Sequence, residues 1–209
     1  MSFGRSLAAL LLVASYGATI AHNAGCDFSG IDLEGAVDKV LDHLHHYRYP
    51  DQRGFQFAYS GLETGDVNVI GFDQIRRFGP IHPYCVNGSR LISVDFVAPD
   101  DVILSLPWKA CSGQEGTVNL RAGFSRFTVV FGVQAGGLNQ DATLTFEGFS
   151  PVITSEPRVY IDGAGPELRQ ATIILSKMLP SLSQYYWNIY FFTLIKGAIY
   201  QAIGYRSEW

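Results

Sequence analysis

His43, His45 and His46 form an H-x-H-H cluster, built from the residue type that most often ligates zinc. A helical zinc site sets its histidines at i and i+4 and adds a carboxylate or another third ligand. Here His43 and His46 stand at i and i+3 with Asp42 beside them, so the cluster reads as a solvated helix face and no metal is expected. Gly123-Phe124-Ser125-Arg126-Phe127 has the outline of a nucleophile elbow but lacks its final glycine. It also falls in a strand pattern, not at a strand-to-helix turn. Asp162-Gly163-Ala164-Gly165-Pro166 lacks the Lys-Ser/Thr of a phosphate loop, and Leu168 stands where a dinucleotide motif has its third glycine. The paired Asp100-Asp101 follows Pro99, where aspartate is favoured for turn geometry. None of these groups assembles a nucleophile, a base and an oxyanion donor. The chain therefore reads as non-enzymatic, with no catalytic residue and no cofactor.

Three cysteines, Cys26, Cys85 and Cys111, allow one bridge and one leftover thiol, and no C-x-x-C occurs. Asn87-Gly88-Ser89 is an N-glycosylation sequon at Asn87 and also a two-residue hairpin turn signal. Both features suit a secreted protein, and the first residues agree. Arg5 is positive, Leu7 to Val13 is apolar, and Thr19 and Ala21 are small residues at the −3 and −1 positions of a cleavage site. Residues 1–21 are accordingly read as a signal peptide, with His22 as the mature N-terminus and 22–209 as one domain. The apolar run is too short for a membrane anchor, which needs about 20 residues. Composition narrows the field further. Hydrophobic residues make up 47% of the chain, aromatic residues 13% and charged residues only 16%, which excludes disorder. The net charge of −4 leaves no basic footprint for nucleic acid.

The elements that would position a site follow from periodicity. Leu33, Val37, Val40, Leu41, Leu44 and Tyr47 fall on one stripe of an amphipathic helix, with Asp32 or Ser29 as its cap and Pro50 as its stop. From Phe55 to about Ile161 the period becomes two: Ile92, Val94 and Phe96; Val102, Leu104 and Leu106; Val118, Leu120 and Ala122; Phe127, Val129, Phe131 and Val133; Leu144 and Phe146 beyond Gly136-Gly137. This is an antiparallel meander with one wet face, turning at Ala98-Pro99-Asp100-Asp101, and Gly123 and Gly132 mark bends that let it curl. Helix returns at Pro166-Glu167, breaks at Pro180 and resumes, with Ser181 as a cap, from Leu182 to about Ile203. That last helix is apolar nearly all round, which suits a helix buried on most sides or one in a membrane, and Lys196 in its middle favours burial. A hairpin turning at 98–101 brings Cys85 and Cys111 to facing strand ends, so these two are expected to form the bridge. A tight turn at Asn87-Gly88 would instead carry Cys85 to the next strand and make Cys26 a candidate partner.

Val67-Asn68-Val69-Ile70-Gly71-Phe72-Asp73-Gln74-Ile75-Arg76-Arg77-Phe78-Gly79 resembles a segment of the mite group 7 allergens, and Arg90 to Ser105, with Asp100-Asp101-Val102, resembles the hairpin that follows it. The likeness runs over roughly residues 30 to 205. That arthropod family resembles one half of the bactericidal/permeability-increasing and lipopolysaccharide-binding proteins and, more distantly, the juvenile-hormone-binding and takeout proteins. The resemblance implies an α+β fold in which a long, highly curved antiparallel sheet wraps around a long C-terminal helix, with an amphipathic helix in front. It further implies a secreted, non-catalytic binder or carrier of a lipid or other apolar small molecule. A membrane surface or a protein would be the other partners to consider. The alternative is a secreted interaction protein, acting on a host or immune partner, whose core is solid. The chain departs from the mite pattern in its three cysteines and in its aromatic last helix. For the carrier, the apolar wall is expected from Tyr186, Tyr190, Phe191, Leu194 and Ile195 on one face of that helix. Ile92, Val94, Phe96, Val129, Phe131 and Phe146 of the sheet should face them.

Overall fold

A computed structural model describes residues 26–45, 54–134 and 142–204. The expected signal peptide, His22, His46, Tyr47 and Gly136-Gly137 lie outside the described residues. Helix α1 (Leu33–His45) buries Val37, Val40 and Leu44 of the expected stripe, with Leu33 and Leu41 partly buried and Ala36 joining them. The Asp32 carboxylate accepts the Gly35 backbone N–H at 2.9 Å and so caps the helix start. At the other end the His45 Nε2–H donates to the Ile75 carbonyl at 2.9 Å, and Glu34 pairs with Arg77. Of the cluster, His45 thus ties the end of α1 to the segment just before Arg76, while His43 bonds to the Lys39 carbonyl of its own helix.

The sheet is a meander of four long legs. β1 (Gln56–Tyr59) is an edge strand folded back on the first leg, which contains β2 (Leu62–Thr64), β3 (Asn68–Ile70), β4 (Arg76–Arg77) and β5 (His82–Val86). The second is β6 (Ser89–Ala98) continued by β7 (Val102–Ala110), the third β8 (Glu115–Ala122) continued by β9 (Phe124–Gln134), and the fourth β10 (Thr143–Ser155) continued by β11 (Arg158–Asp162). Every leg bends midway, so hydrogen bonding divides into two sheets. One runs β1-β2-β7-β8-β11 with β3 also on β7, and the other runs β10-β9-β6-β4 with β5 also on β6. The register carries across the bend almost unbroken, since Ala98 faces Ser125 on one side and Val102 faces Ala122 on the other. The long curved sheet expected from the sequence is this trough with two half-sheets.

The bend has local causes. Gly71 takes φ +95°, and a Cβ there would lie 2.5 Å from the Asp101 carbonyl oxygen, so only glycine lets the first leg cross the second so closely. Asp101 pairs with Arg121, tying the second leg to the third at the bend, and Glu156 pairs with Arg158 across the turn within the fourth leg.

Residues 98–101 therefore do not form a hairpin. β6 and β7 lie in different half-sheets and never pair, and the second leg reverses only after Ala110, where the chain turns to enter β8 at Glu115. This overturns the expected Cys85–Cys111 bridge. Cys85 sits beside Arg90 at one end of the second leg, and Cys111 lies just past its other end. About twenty residues of strand, on the order of 60–70 Å of contour, lie between those ends. The bridge is Cys26–Cys85, with a Cα–Cα separation of 5.8 Å, and Cys111 is an exposed free thiol. The tight turn at Asn87-Gly88 is the reason: both residues have positive φ, and β5 folds back on β6 around them.

Two helices complete the chain, α2 (Pro166–Met178) and α3 (Pro180–Ala202). Pro180 starts α3 one residue before the expected Ser181 cap, with Leu179 as the link between the helices. Helix α3 lies in the trough. Its Trp187, Phe191, Phe192, Leu194, Ile195, Ala198 and Ile199 are buried, while Tyr185 on its other side is 60% exposed. The sheet therefore encloses one side of this helix rather than most of it. No described helix is long and apolar enough to cross a membrane.

On the convex face, Asp95 accepts hydrogen bonds from Thr128 Oγ1 at 2.6 Å and from Arg126, whose guanidinium also lies 4.6 Å over the Phe78 ring. Burial pushes the Asp95 carboxyl up. The hydrogen bonds from Thr128 and Arg126, with the Arg126 and His82 charges, outweigh this and hold it below the usual carboxylate range. A carboxylate lowered in the folded state contributes stability above its unfolded value of about 4 and loses it as pH falls through the folded value. Asp95→Asn is expected to lower the melting temperature at pH 7. Thermal melts across pH should show the gap to the parent protein closing below about pH 4.

Candidate functional site

Cross-strand partners point to the same face of a sheet. In the half-sheet containing β7, β8 and β11, Leu104 faces Leu120, Leu106 faces Val118, and Val159 faces Leu120 from the other side. These five residues make an apolar floor on the concave face, extended by Val67 next to β3.

Helix α2 walls one side of this floor and also closes a sheet edge. β11 is the last strand of its half-sheet, so the backbone groups on its outer side have no strand to pair with. Ser176 meets the first of them, its hydroxyl accepting the Val159 N–H at 2.9 Å and lying 2.9 Å from the Val159 carbonyl. Thr172 accepts the Ile161 N–H at 3.3 Å. Small hydroxyl side chains are what let the helix approach a strand this closely.

The chain then turns at Leu179, and the first turns of α3 pass over the floor, bringing in Leu182, Ser183, Tyr186 and Tyr190. The Tyr186 and Tyr190 rings stack at 6.2 Å, one turn apart. Floor, wall and roof do not meet. They leave a cavity of about 330 Å³, with Leu175, Leu179, Leu182, Tyr186 and Tyr190 around its half-exposed rim. No Asp, Glu, Lys, Arg or His lines it. Outside the rim, Ile174, Met178, Tyr185 and Ile189 are exposed too, Met178 at 72%.

The other half of the trough is solid. Phe127 packs edge-on against Phe191 and Phe192, Trp187 stacks on Phe191 at 4.8 Å, and Phe149 stacks on Phe192 at 4.6 Å. The residues expected to line a ligand site divide between the two halves. Tyr186 and Tyr190 line the cavity. Ile92, Val94, Phe96, Val129, Phe131, Phe191, Leu194 and Ile195 are buried in the filled half, and Phe146 is half-buried against Tyr200 and Phe149. Of the expected residues, the two tyrosines of α3 border this cavity and the sheet residues belong to the other half-sheet.

The floor residues Leu104, Leu106, Val118 and Leu120 were legible as a strand face but not as a site. A signal was present in the helices. Thr172 and Ser176, four apart on the inward side of α2, are small where a filled core would carry large side chains, and Ser183 in the first turn of α3 is small too. Among the described residues no group of three or more His, Cys, Asp or Glu side chains is placed to hold a metal ion.

No family model matches the chain, and no curated protein matches it. Among solved structures, one similar chain is takeout 1 of Epiphyas postvittana. It shares 13% identity over 79% of this chain and 85% of that one, with a TM-score of 0.40. A likeness of that degree adds nothing to the functional reading.

Proposed function

We propose that this protein is a secreted, non-catalytic binder or carrier of an apolar small molecule. One observation carries the reading: a cavity of about 330 Å³ walled by aliphatic side chains, with no charged residue in its lining and an open, apolar rim. That volume is at the small end of ligand sites, which run from about 300 to 1,000 Å³, so it suits one compact apolar molecule. Binding is by partition. Each methylene that leaves water contributes roughly 0.8 kcal/mol, and ten or more are needed before the gain exceeds the several kcal/mol that association costs. The Cys26–Cys85 bridge and the signal-like residues 1–21 support an extracellular setting. The rival reading, an interaction protein with a solid core, has the cavity against it.

Leu106→Trp tests the reading directly, because the added indole projects from the floor into the space. Affinity for N-phenyl-1-naphthylamine, followed by fluorescence, is expected to fall at least roughly tenfold while the melting temperature stays within a few degrees. Unchanged dye affinity in a folded Leu106→Trp protein would remove the cavity from the function. Native mass spectrometry of protein purified without detergent should show a co-purifying apolar molecule on the parent and less of it on the variant.

A further inference from the structure

Helix α3 has two faces, and the trough covers one of them. Trp187, Phe191, Leu194, Ile195 and Ala198 are buried there. The opposite face carries Leu182, Tyr185, Tyr186, Ile189 and Tyr190, each between 40% and 60% exposed. A helix that lies on a sheet in water puts charged and polar side chains on that outer face. Ile174 and Met178 of α2, also exposed, extend the apolar surface on the near side of the Leu179 turn, and the rim of the cavity lies within it. Contiguous apolar surface of this kind marks an interaction site.

Charge says which partner fits. From Leu168 to Ala202 the chain has no Asp or Glu, although it has 19 in all and a net charge of −4. The cations of that stretch are Arg169, which pairs with Asp162, and the exposed Lys177 and Lys196. Lys177 stands beside Met178 in the last turn of α2, and Lys196 lies two turns after Ile189 on the same stripe of α3. A second copy of the chain would set these cations against themselves, because a two-fold interface pairs one patch with its own copy. A lipid surface meets the whole arrangement. Its acyl region takes the leucine and isoleucine, the tyrosines suit the headgroup boundary, and anionic headgroups complement the two lysines.

We propose that the outer face of α2 and α3 docks the protein on an anionic lipid bilayer, where it lies on the surface without spanning it. The mouth of the cavity then opens toward the bilayer. An apolar molecule can pass between membrane and cavity without crossing water. That passage rests on the binder reading above, whereas the docking rests on the outer face alone.

The test is flotation of the whole chain with vesicles of phosphatidylcholine, alone or with about one-fifth phosphatidylserine. The parent is expected to float with the mixed vesicles, and more weakly with phosphatidylcholine alone. Tyr185→Gln combined with Ile189→Gln removes apolar surface outside the cavity lining and should lower binding to both at least roughly tenfold. Lys177→Ala combined with Lys196→Ala should lower binding to the mixed vesicles roughly ten- to thirtyfold and leave binding to phosphatidylcholine unchanged. Without vesicles, both variants should keep the parent's melting temperature and its affinity for N-phenyl-1-naphthylamine, which separates lost docking from a damaged fold or cavity. If the folded parent floats with neither vesicle, or the glutamine pair floats as well as the parent, the docking proposal is overturned and the binder reading stands. Equal flotation with both vesicles overturns the anionic assignment. A parent that is dimeric by light scattering, with a monomeric glutamine pair, would give the face to a second copy and overturn the proposal as well. If the dye binds neither parent nor variant while the parent floats, the binder reading falls and the docking stands.

Discussion

Alanine at Phe191 is expected to cost about 3–5 kcal/mol of folding stability and to leave apolar-dye affinity unchanged in the molecules that still fold. Phe191 is fully buried and touches four other aromatic rings: Trp187 stacked at 4.8 Å, with Phe72, Phe127 and Phe192 edge-on between 5.1 and 5.8 Å. Removing its ring takes away both transferred area and the packing of all four, and the helix and sheet around it are too constrained to close the gap. In a domain of this size each kcal/mol lowers the melting temperature by about 2–4 °C, so a drop on the order of 10 °C is expected. Tyr190→Ala, one residue earlier, should behave in the opposite way. Its ring is 51% exposed and lines the cavity, so stability should change little and dye affinity should change measurably. The two variants measured together, by thermal melting and dye titration, locate the space. Loss of dye affinity in folded Phe191→Ala with none in Tyr190→Ala would move the site into the half of the trough where the aromatic rings pack.

Cutting the Cys26–Cys85 bridge should have an effect of similar size. The two cysteines are 59 residues apart in sequence, and closing a loop of that length removes unfolded-state entropy worth about 4 kcal/mol on the chain-entropy model. The enclosed segment contains α1 and most of the first leg, so the bridge holds the helix that packs on α3 to the edge strand β5. Cys26→Ser and Cys85→Ser should destabilise equally, because each breaks the same link, and Cys111→Ser should do nothing comparable. Melting of the three variants with and without reductant checks this. Peptide mapping of the unreduced protein should recover Cys26 joined to Cys85, with Cys111 alkylated.

The sequence was most legible where one face of an element is buried and the other is wet. The stripe Val37, Val40, Leu44 and the alternation Ile92, Val94, Phe96 each name their own buried side, because period and burial are the same fact. What a strand pairs with is a different kind of information. Pro99-Asp100-Asp101 signals a change of direction, and a bend in a continuing leg uses the same residues as a reversal. Only the register on both sides, Ala98 with Ser125 and Val102 with Ala122, tells them apart. The misplaced cysteine bridge followed from that one ambiguity. The site was harder still. Leu104 and Leu120 look the same in sequence as Val94 and Val129, since all four are aliphatic and alternate along strands. One pair bounds a cavity and the other is packed against the aromatic half of α3 because of what lies opposite them. Opposite the first pair are Ser176 and Ser183, and the second lies in the half that Trp187 and Phe191 fill. The emptiness of a trough is a property of two distant segments together.

The filling of the trough by α3 has a consequence for how the molecule is made. All four legs precede α3 in the chain, and each pairs with the leg before it, so the strands can assemble as they leave the ribosome. Forty residues separate Asp162, the end of the last strand, from Ala202, the end of α3. At about 5–20 residues per second, translation takes roughly 2–8 s to cover them. Throughout that interval Phe96, Phe127 and Phe131 line an uncovered concave surface, and the nascent chain is at its most adhesive. A stall or premature stop between those two points would release a sheet with its aromatic face bare, a substrate for chaperones and for aggregation alike.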